Sequence, residues 1–356
     1  MGEKLHKNIK VLVVDDSAFM RKVIRDILNS DSEIEVIDTA KDGVEAIEKA
    51  IKLKPDVITL DVQMPNMDGL TCLKEILKVQ YIPVVMVSAN TNGGTDYTIR
   101  ALENGAVEFI TKPDNIFDMN CEEKRAEVIE KVKIAKKSTP TNKKRISNLH
   151  IRHKSDIVMS KEIKKIIAIG TSTGGPKALQ EVIPLIPGNI PAAILVVQHM
   201  PSGFTKSLAE RLDSMSEVIV KEAEDGEYLK PGYAYIAPGD YHMLVALEHN
   251  KNLRICLTKD PPVGGHRPSV DVMMESLSNT GLRNLIGVIM TGMGGDGSEG
   301  IKLMKSINKG YIIAQDESSS VVYGMPKVAL QTGAVDVVVP LKNISVEIMK
   351  NVGVRD

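Results

Sequence analysis

Lys10-Val11-Leu12-Val13-Val14-Asp15-Asp16 reads as a short apolar strand that stops on two carboxylates. The pattern recurs down the chain. Val57-Ile58-Thr59-Leu60 runs into Asp61, Pro83-Val84-Val85-Met86-Val87 into Ser88, and Val107-Glu108-Phe109-Ile110-Thr111 into Lys112 and Pro113. Between these runs, helical segments are expected over 17–30, 42–54, 68–79, 94–104 and 122–136, an alternation that predicts an open parallel α/β sheet. Ligands in such a sheet sit at the carboxyl ends of the strands. Asp15, Asp16, Asp61, Ser88 and Lys112 are therefore expected at one edge. Three carboxylates suit a hard, oxygen-liking ion such as Mg²⁺, while a lysine and a hydroxyl suit a phosphoryl group. Asp61 reads as a phosphoacceptor, which makes the first third of the chain a switch. One carboxylate at a strand end is ordinary, because Asp caps helices. Five such groups in order, each after a buried-type strand, point to a site.

The 356 residues suggest two or three domains, each able to bury its own core. No stretch approaches the roughly 18 apolar residues of a membrane span, and the N-terminus lacks a signal-peptide pattern. Cys72, Cys121 and Cys256 are scattered and odd in number, which fits neither a disulfide framework nor a metal motif. A reducing, cytoplasmic compartment is the expectation. Charge is uneven: residues 1–130 carry 16 Lys/Arg against 24 Asp/Glu, 131–155 carry nine against none, and 156–356 carry 20 against 22. The basic stretch lacks apolar periodicity after Ala135 and reads as a flexible linker over 131–160. It separates a first domain at 8–130 from a second at 161–354. A basic run could touch nucleic acid. The second domain, however, is slightly acidic and has no helix-turn-helix signature, and the chain has no Trp for stacking platforms, so nucleic acid is not expected as a partner.

The second domain also alternates apolar runs with helix-like segments. Ile166–Ile169, Ala193–Val197, Leu285–Met290 and Tyr311–Ala314 read as parallel strands. Residues 218–258 differ: Glu217–Val220, Tyr233–Ile236, Met243–Ala246 and Leu253–Cys256 are short and separated by Gly, Pro or Asn turns, which suggests antiparallel hairpins inserted into the sheet. The expected architecture is α/β with two doubly wound parallel-sheet domains, the first flavodoxin-like and the second Rossmann-like with an inserted antiparallel hairpin region.

Chemistry in the second domain starts where Ile166–Ile169 enters Gly170-Thr171-Ser172-Thr173-Gly174-Gly175-Pro176. This is G-x-S-x-G between a strand and a helix opened by proline. Glycine-rich turns of this kind either lift a serine for nucleophilic attack or cradle phosphate, and the loop alone does not separate the two. It lacks the spacing of the common nucleotide loops. A nucleophilic serine needs a base and a group to orient that base. The next strand delivers His199 at its end, and Leu285–Met290 leads to Thr291-Gly292-Met293-Gly294-Gly295-Asp296-Gly297. Ser172, His199 and Asp296 can converge on one edge, in an order that differs from the Ser, acid, His order of α/β-hydrolases. His242 and His266 compete with His199 as the base on spacing alone.

Over roughly residues 8–130 the chain resembles the receiver domain of bacterial response regulators. That resemblance implies that Asp15 and Asp16 help Asp61 hold Mg²⁺, that Asp61 accepts phosphate, that Ser88 senses it and that Lys112 pairs with it. Gly170–Gly175, Gln198-His199-Met200-Pro201, Ala237-Pro238-Gly239, His266-Arg267-Pro268-Ser269-Val270-Asp271 and Thr291–Gly297 resemble the CheB methylesterase family. One departure is Gly295, where members often carry Asn. The resemblance implies a catalytic triad of Ser172, His199 and Asp296, and hydrolysis of γ-methyl esters on glutamates of methyl-accepting chemotaxis receptors. It also implies deamidation of receptor glutamines, with the histidine kinase CheA as phosphodonor. Both substrates pass through a tetrahedral oxyanion, for which the backbone N–H groups of Thr173, Met293 and Gly294 are candidates. Mg²⁺ is expected for receiver phosphorylation and no cofactor for hydrolysis. The protein is expected at receptor arrays without being embedded in the membrane.

Overall fold

The computed structural model describes residues 8–354, apart from Asn90, 114–118, Asn120, 139–159, Lys161, Asn250 and Lys251. The chain divides into two compact units, one up to Arg145 and one from Ile146.

In the first unit, β1 (Ile9–Val14), β2 (Ile34–Ala40), β3 (Val57–Asp61), β4 (Val84–Ala89) and β5 (Glu108–Lys112) form a five-stranded sheet in the order β2-β1-β3-β4-β5. Every pairing is parallel, which is the flavodoxin-like doubly wound order. The helices are α1 (Ala18–Asn29), α2 (Gly43–Leu53), α3 (Gly69–Val79), α4 (Asn92–Asn104) and α5 (Glu122–Lys137). Four have side-chain N-caps that satisfy otherwise unpaired N–H groups: Ser17, Asp42, Asp68 and Thr91 accept from Met20, Glu45, Thr71 and Gly94 N–H respectively. One face of the sheet packs Val11, Val13, Val85 and Val87 against Ile24 and Ile27 of α1 and Val128 and Val132 of α5.

β2 was not singled out in the sequence because it is an edge strand whose middle residues are only half-buried. The expected linker also starts too early. Residues 131–137 are the last two turns of α5, held by Val132 and Ala135 in the core and by Lys131 Nζ, which donates to Phe109 O (2.6 Å) and pairs with Glu127 (2.7 Å). The basic residues here are paired to the body of the domain, Lys133 with Asp31 and Glu33 and Lys136 with Asp56. The remainder of the linker, 139–159, lies outside the described residues.

In the second unit, β6 (Lys165–Thr171), β7 (Ala192–Gln198), β8 (Ile219–Glu222), β9 (Tyr233–Ile236), β12 (Leu285–Ile289), β13 (Tyr311–Gln315) and β14 (Val337–Val339) form one sheet, ordered β14-β13-β12-β6-β7-β9-β8. All its pairings are parallel. β10 (His242–Leu247) and β11 (Leu253–Thr258) make a separate antiparallel hairpin. The hairpin insertion is thus confined to β10 and β11, while β8 is a parallel edge strand and β9 lies between it and β7. Their connection, residues 223–232, crosses back without a helix and touches the hairpin through a Tyr228–Arg254 bridge. In sequence, a short glycine-containing crossover looks like a hairpin turn.

The helices are α6 (Gly175–Val182), α7 (Phe204–Met215), α8 (Val270–Asn279), α9 (Ser298–Asn308), α10 (Met325–Gln331) and α11 (Leu341–Val352). The core joins Ile166, Ala168, Leu195 and Ile289 of the sheet to Met273, Met274, Leu277, Ile301 and Met304 of α8 and α9. Met273, Met274 and Met304 bring unbranched, adaptable side chains to this core. The central strands β6, β7 and β12 place their carboxyl ends side by side, and the site is built there.

Candidate active site

Ser172 follows directly on β6, and His199 on β7. Thr171 and Gln198 are register partners across those strands, and His199 N–H donates to Thr171 O (3.3 Å). The serine and histidine therefore leave adjacent strand ends together. Sharp turning after Ser172 depends on Gly174, at φ +76°, and on Gly175, where a Cβ would lie 1.9 Å from Gln198 Oε1. Gly175 N–H closes the turn by donating to Ser172 O (2.7 Å), and α6 begins at once with Pro176 in its first turn.

Thr291, at the end of the β12 segment, braces this turn from the other side. Ser172 N–H (3.0 Å) and Thr171 Oγ1 (3.0 Å) both donate to Thr291 O, and Thr291 Oγ1 donates to Thr173 O (2.9 Å). Gly292 follows, packed so closely that a Cβ would lie 2.8 Å from Ser172 Cβ. The N–H groups of Thr173, Met293 and Gly294 donate to no group among the described residues. The bracing by Thr291 and by Gln198, whose Nε2 donates to Ser172 O (3.0 Å), was missed in the sequence. The signal for both was position, since each is a polar residue at or just past the end of a strand beside the Ser172 loop.

His199 Nε2 is 2.7 Å from Asp296 Oδ2, and both side chains are almost wholly buried. The other ring nitrogen, Nδ1, is buried without a partner. Asp296 sits on the N-terminus of α8, accepting from Val270 N–H (2.7 Å), Asp271 N–H (2.9 Å) and the N-cap hydroxyl Ser269 Oγ (2.9 Å). Burial alone would raise this carboxyl, but the His199 contact and the Asp271 and Val270 N–H groups outweigh it and hold Asp296 at about 2. The neighbouring Asp271 goes the other way: burial and the Asp296 charge push it up to about 6 against a hydrogen bond from Gly300 N–H.

The rival histidines have other partners. His242 uses both ring nitrogens, Nδ1 accepting from Ser269 N–H (3.3 Å) and Nε2 donating to Pro261 O (3.1 Å). His266 lies flat on His199, with ring centroids 3.8 Å apart and planes 10° apart. Of the three, only His199 pairs with a carboxylate among the described residues.

At the carboxyl edge of the first unit, Asp15, Asp16 and Asp61 each offer an oxygen within 4.8 Å of the others. Lys112 Nζ is 2.8 Å from Asp15 Oδ2 and 2.8 Å from Asp61 Oδ2. Burial and the Asp15 charge push Asp61 up to about 6 against the pull of Lys112, and burial raises Asp15. Lys112 is itself raised: burial opposes its charge, but Asp15 and Asp61 more than offset it. Crowded carboxylates held this way fit a hard divalent cation in donor type and number. Ser88 Oγ is buried within reach of Gly94 O (3.1 Å) and Ala89 O (3.2 Å), tying it to the start of α4.

A family model described as CheB methylesterase matches residues 167–348, and one described as response regulator receiver domain matches residues 11–120. A protein-glutamate methylesterase/protein-glutamine glutaminase of Pyrococcus horikoshii is 49% identical over 354 residues, covering 99% of this chain and 95% of the relative. The protein of the same name from Thermotoga maritima is 47% identical over 339 residues, covering 94% and 96%. The crystal structure of the Thermotoga maritima CheB methylesterase catalytic domain superposes with a TM-score of 0.51 at 47% identity, over 52% of this chain and 97% of that one.

Proposed function

The chain belongs to the CheB methylesterase family, and from that premise we propose that Ser172, His199 and Asp296 carry its hydrolysis and that Asp61 carries its control. It is a phosphorylation-regulated protein-glutamate methylesterase and protein-glutamine glutaminase of chemotaxis, taking phosphate from a kinase and acting on chemoreceptors. Ser172 Oγ attacks the γ-carbonyl of a methylated glutamate while His199 takes its proton. Nδ1 is the nitrogen left for that proton, because Nε2 faces Asp296. The Asp296 carboxylate stabilises the imidazolium. The tetrahedral oxyanion is received by the uncommitted N–H groups of Thr173, Met293 and Gly294. On collapse the C–O bond breaks and His199 returns the proton to the departing methanol. Water then attacks the acyl-enzyme, giving its proton to His199, which restores Ser172. A glutamine follows the same course with ammonia as leaving group.

In the receiver, Asp15, Asp16 and Asp61 would hold Mg²⁺, which supplies charge neutralisation for phosphate on Asp61. Lys112 pairs with that phosphate, and Ser88 gives up its carbonyl contacts to α4 to meet it. The receiver domain spans 8–130, with α5 extending past that limit, the catalytic domain spans 161–354, and the phosphodonor is the histidine kinase CheA. Among the described residues no helix is long and apolar enough to cross a membrane, and action on receptor cytoplasmic helices puts the protein in the cytoplasm. The observation that carries the catalytic assignment is the His199–Asp296 pair beside the Ser172 turn. A fluorophosphonate probe tests it: labelling should map to Ser172 and vanish in His199→Ala. Labelling elsewhere, or undiminished in His199→Ala, refutes it.

A further inference from the structure

His266 projects from a closed two-residue turn. Val263 and His266 exchange both backbone hydrogen bonds (3.1 and 3.0 Å) around Gly264 and Gly265, at φ +59° and +82°. Glycines at both positive-φ positions suit the primed turns that join paired strands tightly. Arg267 anchors the base of the loop, with Nη1 donating to Lys259 O (3.1 Å) and Asp260 O (3.2 Å), and Arg267 O accepts from Asp240 N–H (3.3 Å). A rigid support therefore delivers the ring that lies face to face on His199.

We propose that His266 is a positioning residue for the hydrolysis, its imidazole fixing the plane of His199 so that one nitrogen meets Asp296 while the other remains for the seryl proton. The edge of the His199 ring is pinned at one point by Asp296, and Nδ1 has no partner to stop rotation. A flat ring 3.8 Å away closes the face instead. Imidazole suits this place if it remains uncharged, because a cation there would oppose proton uptake by His199. Burial, and then His199 itself, lower the His266 pKa, while Asp296 works the other way. The His266 loop also carries Lys259, Asp260 and Arg267, of which Arg267 donates to the backbone oxygens of the other two. His242, from β10, reaches the same loop through Pro261 O.

The inference rests on His199 being the base, and the test separates the two. Methanol release from methylated receptor membranes is measured with the full chain, supplied with phosphodonor, for wild type, His266→Ala, His266→Phe and His199→Ala. His266→Ala should lower kcat by ~10- to 100-fold, the scale of a misplaced catalytic group, with KM within about twofold. His266→Phe restores a flat face that cannot carry a proton and should recover most of kcat. Wild-type kcat in His266→Ala, or His266→Phe no better than His266→Ala, overturns the positioning role. Wild-type turnover in His199→Ala overturns the base assignment instead, whatever the His266 variants do.

Discussion

His199 Nε2 lies 2.7 Å from Asp296 Oδ2, and that carboxylate is itself fixed by three donors at the start of α8. The imidazole is oriented by a helix terminus and not by a free side chain. Asp296→Asn keeps the shape but cannot serve as anion to the imidazolium. It should leave the circular dichroism spectrum unchanged and reduce kcat by about 10³–10⁴-fold. A loss below tenfold would mean that Asp296 is not the orienting acid.

The proposed triad should act as a unit, so the effects of removing its members should not add. Ser172→Ala and His199→Ala should each abolish most turnover, and the double variant should be within about threefold of either single one. Steady-state rates for the three proteins decide this, and multiplicative losses would contradict it.

Thr291 is a test of the brace. Its hydroxyl donates to Thr173 O and accepts from Val322 N–H (3.0 Å). Thr291→Val keeps the volume and leaves both groups unpaired, at a cost of about 1–3 kcal/mol. Thermal melts should show that loss, and kcat should fall more than KM rises. Thr291→Ser should retain both properties. Unchanged melting and rate in Thr291→Val would remove the brace from the account.

The parallel α/β class of both sheets was legible in the chain, and so were the strand ends at which the candidate site residues gather. Asp15, Asp61, Lys112, Ser172 and His199 each end or follow an apolar run, so reading the runs located the edges. Pairing direction at the sheet margin was not legible. β8 and β9 are four residues each, and glycine turns fit a crossover as well as a hairpin. Nor could the choice among three histidines be made by spacing. It depends on which ring nitrogen meets which partner, and the donors to His242 and Asp296 come from Ser269 and its neighbours, some 27 residues away along the chain from each. α5 running into the basic stretch was hidden because only Val132 and Ala135 are buried among its lysines.

Asp271 gives a pH signature. Its carboxyl is raised in the fold from the usual 3.8 to about 6, chiefly by burial. A raised pKa means its contribution to stability is fully present below about pH 4 and is lost as pH rises through 6. Asp271→Asn retains an acceptor for Gly300 N–H and removes the penalty on the charged form. With allowance for partial exposure, it should be more stable than wild type at pH 7 by on the order of 1 kcal/mol. The difference should disappear near pH 4. Denaturant unfolding at the two pH values measures this, and a gain that persists at pH 4 would contradict it.

Asp61→Asn should accept no phosphate from the kinase and should lose stimulation by phosphodonor while keeping basal hydrolysis. Chelating Mg²⁺ should prevent labelling of the wild type. Stoichiometric labelling of Asp61→Asn would move the acceptor elsewhere.

Methanol released from methylated chemoreceptor membranes by the full chain, wild type against Ser172→Ala, is the most direct test of the central claim. The wild type should release methanol and respond to phosphodonor. Ser172→Ala should fall to the membrane background while still taking phosphate on Asp61. Methanol release by Ser172→Ala at the wild-type rate would contradict the assignment of Ser172 as nucleophile.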